Sequence, residues 1–325
     1  MTQAPLEFRS PLADRPTVTV VVCAYTELRW DLLVQAVESV RAQNLQPDQC
    51  VVVVDHNDLL LRRARASLPD DVEVVANGAT RGLSGARNTG IAHSTGEIVA
   101  FLDDDAAADP GWLDALLGHY EVATVVGVGG IAEAVWPERG RPRWFPPEFD
   151  WVVGCSYVGL PEAVSPVRNP IGCSMSLRRS LFAVVGGFDT AMGRVGAVPL
   201  GCEETELAVR ARRKMTGVEF LHVPHALVRH HVAPERARVG YFLRRCYSEG
   251  LSKGALSKRA GAHDALSSER AYVSRTLPRA VARGLAEGGR GDHMGFARAA
   301  MVVAGLVATA MGYAMTTKGH KWRED

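Results

Sequence analysis

Residues 96–105 read Gly-Glu-Ile-Val-Ala-Phe-Leu-Asp-Asp-Asp. The apolar part of this stretch, residues 98–102, predicts a buried strand. Asp103, Asp104 and Asp105 follow at the carboxyl end of that strand. Three adjacent carboxylates repel one another unless a cation or strong hydrogen-bond donors lie among them. The stretch therefore predicts a strand that ends in a polar site.

Strand and helix also alternate through the chain before this stretch. Strands are predicted at 18–22, 51–54 and 72–75, and helices at 29–43, 59–67 and 84–93. This alternation predicts an α/β fold with a doubly wound, mostly parallel sheet. Such sheets bind ligands at the carboxyl ends of their strands, where Asp55 and the three aspartates lie.

The chain after Pro110 is expected to complete this domain and then to become helical. A short helix and a strand at 125–130 come first, followed by a loop-rich insertion around a pocket at 136–170. We predict a loose arm at 1–16, one α/β domain at 17–232 and a helical extension at 233–325.

Charge is distributed unevenly along the chain. The net charge is +1, yet residues 236–290 hold 12 Lys and Arg against 4 Asp and Glu. This basic region suits phosphates or an anionic membrane surface, or it is a solvated, arginine-rich helical face. Residues 299–315 carry no charge. They fit a helix packed on the protein's own domain, an interfacial anchor or a short membrane span.

Several classes of protein lose support from the sequence. The hydrophobic content of 47% is unlike that of a disordered chain. The six cysteines form no C-x-x-C pair, which argues against a zinc site or a disulfide framework. No secretory signal pattern is present, so we expect a cytoplasmic protein. Neither a G-x-G-x-x-G after the first strand nor a P-loop occurs. We expect no nucleic-acid partner.

The aspartate triplet is a candidate metal site. Aspartate oxygens are hard ligands, so Mg²⁺ or Mn²⁺ bridging a diphosphate is the natural partner. The alternative is an acidic cluster at a helix N-terminus, helped by Asp109 and Pro110.

A glycine-rich segment is a second candidate for ligand binding. Residues 82–90 read Gly-Leu-Ser-Gly-Ala-Arg-Asn-Thr-Gly. The glycines allow a ligand to approach the backbone closely, and Arg87 can meet a phosphate or a base edge. A plain glycine-rich turn that opens a helix is the alternative.

In this order, the motifs resemble those of family 2 glycosyltransferases of the GT-A fold. The resemblance rests on residues 20–25, Asp55, 82–88 and 96–105, and covers roughly residues 17–232. It continues in Gly-Gly-Phe-Asp at 186–189 and in Cys-Glu-Glu-Thr-Glu-Leu at 202–207.

The chain also departs from the family's pattern. Many relatives have Asp-Gly-Ser from the Asp55 position onward, whereas His56, Asn57 and Asp58 follow Asp55 here. Where relatives often carry Gly-x-Asn, residues 172–174 read Gly-Cys-Ser. The identity of the donor sugar therefore does not carry over.

The resemblance implies a nucleotide-sugar donor site. The residues expected to bind the donor are Ala24, Tyr25, Asp55, Arg87, Asp103 and Asp104. Among them, Tyr25 and Asp55 should hold the nucleoside base. Arg87 should lie near the base or the diphosphate, and Asp103 near the ribose or the sugar.

The resemblance also implies a metal ion, Mg²⁺ or Mn²⁺, bound by Asp105 together with Asp103. His230 or His231 matches a position where relatives often supply a further metal contact. The alternative for this pair is ordinary histidines at the end of a strand.

Sugar transfer with inversion needs a base, opposite the leaving diphosphate, that takes the proton of the acceptor hydroxyl. The resemblance assigns this role to Glu204, with Glu203 as the fallback and Glu206 supporting the helix. Relatives often have Glu-Asp where this chain has Glu-Glu. The extra methylene moves the base by about 1 Å, a displacement that matters for catalysis.

These expectations describe a metal-dependent, inverting glycosyltransferase with a donor that is most simply UDP-linked. The hydroxyl acceptor stays open and includes a lipid-phosphate-linked sugar, a glycan or a small molecule of cell-envelope or glycoconjugate synthesis. Peripheral contact with the inner face of the membrane would suit the first of these.

Two alternatives accompany this interpretation. A nucleotidyltransferase normally has a Gly-rich, Lys-containing loop after the first strand, and residues 23–29 contain none. A non-catalytic sugar-nucleotide or glycan-binding module has no need of Glu204.

Overall fold

One mixed β-sheet organises the protein. The computed structural model describes residues 15–192, 201–265 and 267–317, so the predicted arm lies almost entirely outside the described residues. The strands are β1 (Val18–Ala24), β2 (Gln49–Val54), β3 (Val72–Ala76), β4 (Ile98–Asp103), β5 (Ala106–Ala108), β6 (Val125–Val135), β7 (Ser165–Val167), β8 (Ser174–Arg178) and β9 (Glu219–His231).

Helices fill most of the remaining described chain. They are α1 (Trp30–Arg41), α2 (Asp58–Ser67), α3 (Leu83–His93), α4 (Trp112–Leu117), α5 (Arg179–Val185), α6 (Glu203–Lys214), α7 (Val239–Ala265), α8 (Ser267–Ala271), α9 (Leu277–Gly289) and α10 (Met294–Thr317). The strands and helices predicted before the aspartate triplet are all present, with ends shifted by at most about two residues. The helical character predicted for the last part of the chain is confirmed.

The strand order places a binding crevice beside β1. The order is β3-β2-β1-β4-β8-β6-β9-β5, and β7 pairs with β9. β1 is parallel to both β2 and β4, whereas β8 runs antiparallel to β4. The chain moves outward from β1 to β3 and then returns to the other side of β1, so the order reverses between β1 and β4. Ligands bind outside the carboxyl ends of strands at such a reversal. Because Cys23 pairs with Asp103, the residues that follow β1 and β4 meet there.

Helices cover both faces of the sheet because side chains alternate along each strand. On β1, Val20 and Val22 pack with α1, α2 and α4, while Val21 packs on the opposite face with α3, α5 and α6. A sheet buried on both faces explains the nearly continuous β-branched runs in the sequence.

A third apolar cluster joins the segment 136–170 to the C-terminal helices. Phe145 and Phe149 pack with Phe242 of α7, Leu277 of α9 and Val302 of α10. The rings of Phe149 and Phe242 lie 5.2 Å apart. The predicted loop-rich insertion thus contains a short 3₁₀ helix, Pro147–Val153, and shares its core with the helical extension. The domain boundary predicted at residue 232 stays a prediction.

Helix α10 packs through glycines and leaves one face open. A Cβ atom at Gly312 would lie 2.1 Å from the carbonyl oxygen of Tyr247, so the backbones of α7 and α10 touch. Among the described residues, α10 is the one helix whose length and composition suit a membrane crossing. In the most apolar 18-residue stretch of α10, 22% is buried inside the protein. The exposed large side chains on α10 are Met294, Phe296, Val303, Val307, Met311 and Met315.

Candidate active site

A cavity of about 1180 Å³ opens at the carboxyl edge of the sheet. Residues after β1, β2 and β4 and the first turn of α6 line one side, which we name the sheet half. Arg168 and residues of α7 to α10 line the other side, which we name the helical half. All the predicted site residues lie on the wall except His231; they are Ala24, Tyr25, Asp55, Arg87, Asp103, Asp104, Asp105, Glu203, Glu204 and His230.

Asp55 is fixed at the outer end of the sheet half. Its carboxylate accepts hydrogen bonds from Asn77 Nδ2 at 2.6 Å and from the backbone N–H of Gly82 at 2.9 Å. The Tyr25 ring is 42% exposed and lies 5.4 Å from the Arg29 guanidinium. A rigid carboxylate beside an exposed ring suits recognition of a base by a hydrogen bond and stacking.

Cations surround the aspartate triplet, as its crowded charge requires. Arg29 Nη1 lies 2.8 Å from Asp104 and 2.9 Å from Asp105. Asp105 also lies 3.2 Å from His230 and 3.6 Å from Arg236. Burial, reinforced by the charge of Asp105, raises the pKa of Asp104. Burial also acts on Asp105, but His230 and Arg29 outweigh it and lower its pKa.

Asp103, Asp105 and His230 form a group that fits a divalent metal ion. One ligand atom from each lies within 4.8 Å of the others. Two carboxylates and an imidazole form a ligand set that suits Mn²⁺, and carboxylate oxygens also suit Mg²⁺. Burial lowers the pKa of His230, but Asp105 outweighs it and raises the pKa to about 10. Metal binding would therefore release a proton from this imidazole.

His231 does not join this group among the described residues. It contributes a backbone hydrogen bond of 2.7 Å to the carbonyl oxygen of Asp105. Of the two candidate histidines, the structure therefore places His230 beside the carboxylates.

Glu203 and Glu204 begin α6 beside Arg87. Arg87 Nη1 lies 3.2 Å from Glu203 Oε1 and 3.0 Å from Glu204 Oε1. Burial and the charge of Glu204 raise the pKa of Glu203 to about 8. The Glu204 side chain is 16% exposed, against 5% for Glu203. Of the pair, Glu204 is therefore the carboxylate more open to the cavity.

Arg87 lies between the two acidic clusters. Its side chain is 2% exposed, and Nη2 lies 3.7 Å from Asp103. Burial lowers its pKa, but Glu204 and Glu203 outweigh this and raise it, so the guanidinium stays charged. The side chain expected near the base or diphosphate thus has carboxylate partners in this structure. Its role toward a donor stays a prediction.

Two glycines near Arg87 serve packing. A Cβ atom at Gly85 would lie 1.8 Å from the carbonyl oxygen of Thr80, and one at Gly90 would lie 2.4 Å from Val21 Cγ1. The expectation that these two positions make room for a ligand is therefore wrong. They let α3 pack closely on the protein itself.

A chain of partly buried ion pairs runs along the helical half. Arg245 donates to Glu249 at 2.9 Å, one turn along α7. Lys253 Nζ lies 3.5 Å from Glu249 and 2.7 Å from Glu269. Arg168 reaches the same Glu269 at 2.6 Å. These pairs tie the α/β domain to the helices that close the cavity.

The sequence patterns missed Asn77, Arg29, Arg236 and Arg168. Each acts on a partner far along the chain, so no local spacing identifies it. Asn77 follows β3 as Asp55 follows β2, which was a usable signal. The crowded aspartates required cations, but nothing showed which arginines would supply them.

Comparisons with known proteins show the family of the chain. Residues 19–186 match the sequence model of Glycosyl transferase family 2. The chain is 36% identical over 239 residues to a glucosyl-dolichyl phosphate glucuronosyltransferase of Haloferax volcanii. The alignment covers 73% of this chain and 76% of that protein. It is 27% identical over 250 residues to the succinoglycan biosynthesis protein ExoM of Rhizobium meliloti, with 74% of each chain covered.

A solved structure has the same fold. The mannosyltransferase from Pyrobaculum calidifontis, in complex with GDP-Man and Mn²⁺, superposes with a TM-score of 0.56 at 20% identity. The match covers 94% of this chain and 90% of the mannosyltransferase.

Proposed function

Because the chain belongs to glycosyl transferase family 2 and has a GT-A type fold, we propose that it is an inverting, metal-dependent glycosyltransferase. It takes a sugar from a nucleotide-sugar donor, most simply a UDP-sugar, and moves it to a hydroxyl group of an acceptor.

One observation carries this proposal. A single cavity contains an exposed ring and a fixed carboxylate for a nucleoside, a metal-binding group and a carboxylate for proton transfer. The ring and the fixed carboxylate are Tyr25 and Asp55. The metal-binding group is the one at Asp105, and the carboxylate for proton transfer is Glu204. Holding donor and acceptor in one cavity turns a bimolecular step into an effectively unimolecular one.

The metal group fits the leaving diphosphate. When bound by Asp103, Asp105 and His230, Mg²⁺ or Mn²⁺ would neutralise the negative charge that builds on the leaving diphosphate. Arg29 fixes the carboxylate of Asp105 in this group, and it also pairs with the neighbouring Asp104.

Glu204 takes the proton of the acceptor hydroxyl in this proposal. Glu203 holds its own proton near neutral pH because its pKa is raised to about 8, so it is poorly suited to accept another. Glu204 is more open to the cavity, and Arg87 orients it.

The acceptor we propose is a sugar linked to a lipid phosphate. The Haloferax relative is named as acting on glucosyl-dolichyl phosphate, and it spans most of this chain. Helix α10 has an exposed apolar face, while its residues Leu306 and Thr309 line the cavity. A helix that lies in the membrane interface presents such a face to lipid. We place the protein on the cytoplasmic side, in peripheral contact with the membrane.

Two alternatives to this proposal are a nucleotidyltransferase and a binding module without catalysis. Membership of glycosyl transferase family 2 argues against a nucleotidyltransferase. A binding module without catalysis has no need of Glu204, and it would turn over no donor.

Donor hydrolysis tests the proposal. The purified chain is incubated with UDP-, GDP- and dTDP-sugars in Mn²⁺, Mg²⁺ or EDTA, and nucleotide release and thermal shift are followed. We expect one UDP-sugar to stabilise the protein and to be hydrolysed slowly, with both effects lost in EDTA. A folded protein that responds to no donor would contradict the proposed activity.

A further inference from the structure

We propose that the helical half of the cavity binds the phosphate group of the acceptor. The cations that form this site are Arg245 and Lys253, whose side chains are mostly buried, and Arg275 and Arg279, which are exposed on the same wall. The inference rests on the proposed function, since it assigns a subsite to the acceptor of that reaction.

Cations outnumber carboxylates on this wall. Among the described residues that line the helical half, the charged ones are Arg168, Arg245, Lys253, Arg275 and Arg279 against Glu249 and Glu269. A cleft lined mainly by one sign of charge concentrates ions of the opposite sign. Arginine offers phosphate a fork of donors and lysine a point charge, so this composition suits a phosphate.

Glu249 holds Arg245 in position, and Glu269 together with Glu249 holds Lys253. The Arg245 side chain is 14% exposed and that of Lys253 is 9% exposed. Among the described residues, the hydrogen-bond acceptor of Arg245 is Glu249, which takes one of its five N–H donors. Its remaining donors can bind a ligand without breaking the pair.

The two exposed cations have no such partner. Arg275 and Arg279 make no side-chain hydrogen bond or ion pair with any residue that the structure describes, although both line the cavity. Within the described residues, no side-chain contact neutralises their charge. A phosphate in the cavity would.

The site lies close to the proposed base. Cys202 Sγ lies 3.5 Å from Glu249 Oε1, and Glu204 follows Cys202 by two positions at the start of α6. A phosphate bound at Arg245 therefore leaves the sugar attached to it within reach of Glu204. Both groups belong to one molecule in a phosphate-linked sugar.

Apolar side chains lie on the same wall as the cations. Val273, Leu277 and Leu306 contribute to it, and Leu306 belongs to α10. Hydrocarbon beside a phosphate site suits a lipid ester better than a free sugar phosphate.

Binding of hexyl phosphate and of inorganic phosphate to the full chain tests this site without turnover. Calorimetric titrations are made with UDP and Mn²⁺ already present. We expect hexyl phosphate to bind and Arg275→Gln to raise its Kd about 5-fold to 10-fold, as for one lost charge-assisted hydrogen bond. The Arg275→Gln, Arg279→Gln double variant should raise it further.

The matched control is Arg270→Gln, which changes an exposed arginine that is not on the cavity wall. Its Kd should equal that of the unaltered chain.

Lys253 is a poor first choice for removal, because Glu249 and Glu269 would lose their buried partner. Lys253→Arg keeps the charge but moves it, and it should weaken binding without unfolding the protein.

Each outcome is decisive. Tighter binding of hexyl phosphate than of inorganic phosphate supports a lipid ester, and equal binding supports a water-soluble ester. No binding of either probe in the presence of UDP and Mn²⁺, or an unchanged Kd in Arg275→Gln, overturns the site. Donor hydrolysis is measured on the same preparations. If it is absent while binding depends on Arg275, the proposed function fails and the phosphate site stands.

Discussion

Both halves of the cavity contain ion pairs, but the helical half also depends on close contacts between helices. In the sheet half, the acidic side chains are fixed by arginines, the partly buried Arg29 and the buried Arg87. In the helical half, helices are held by glycine contacts, as at Gly312, and by the ion pairs of Glu249. Substitutions in the sheet half should therefore abolish chemistry. Those in the helical half should change stability or acceptor binding and spare donor chemistry.

Asp105→Asn should give the largest effect, because it alters the metal group. We expect Mn²⁺-dependent donor hydrolysis to fall about 10³-fold, the range for losing several kcal/mol of charge stabilisation. Mn²⁺ should also cease to raise the melting temperature. Asp109→Asn is the control, since Asp109 pairs with Arg229 outside the cavity wall. Hydrolysis that stayed dependent on Mn²⁺ in Asp105→Asn would place the metal elsewhere.

Gly312→Ala probes the helical half. Its Cβ would meet the α7 backbone at 2.1 Å, so overpacking should lower the free energy of unfolding by about 1–3 kcal/mol. Gly240→Ala on the same α7 meets nothing within 4 Å and should stabilise the protein by up to about 1 kcal/mol. Denaturant titration measures both. Equal effects at the two positions would show that the contact between α7 and α10 is not tight.

Met311→Glu tests the exposed face of α10. Met311 is 58% exposed, and a charge there should oppose insertion into lipid. We expect the partition coefficient onto anionic vesicles to fall about 10-fold, equivalent to losing one buried side chain. Val122→Glu, at a residue that is 54% exposed away from α10, is the control. If both variants bind vesicles as the unaltered chain does, α10 is not the lipid contact.

Glu203→Gln should change how stability depends on pH. The pKa of Glu203 rises from 4.5 to about 8 on folding, so the folded protein binds this proton more tightly than the unfolded chain does. Its contribution to stability is complete below pH 4.5 and is lost as the pH rises to about 8. In Glu203→Gln this loss, several kcal/mol for a pKa that moves from 4.5 to about 8, should vanish from unfolding titrations between about pH 5 and 8. A variant with the same pH profile as the unaltered chain would show that Glu203 titrates normally.

The sheet half could be predicted from the sequence because its signals are local. β-branched runs indicated the four parallel strands, Asp55 follows β2 directly, and Asp105 lies two residues beyond the end of β4. Both carboxylates lie at the carboxyl ends of parallel strands, where the structure has its cavity.

The helical half and the cations could not be predicted in this way. Arg236 and Arg168 reach their partners through tertiary packing, and any other arginine would fit the sequence pattern equally well. The wall of α7 to α10 depends on contacts such as Phe149 with Phe242, which join segments far apart in the chain. Composition indicated a basic helical region, but it did not show which of its cations would line the cavity.

The central claim is that Glu204 is the base of the transfer reaction. The most direct test is transfer by Glu204→Gln, with nucleotide binding measured by calorimetry on the same sample. We expect the donor nucleotide and Mn²⁺ to bind with unchanged affinity, because the group at Asp105 is intact. Transfer should fall about 10²-fold to 10⁴-fold, the usual contribution of a general base. Transfer at the unaltered rate, with a well-folded variant, would contradict the account.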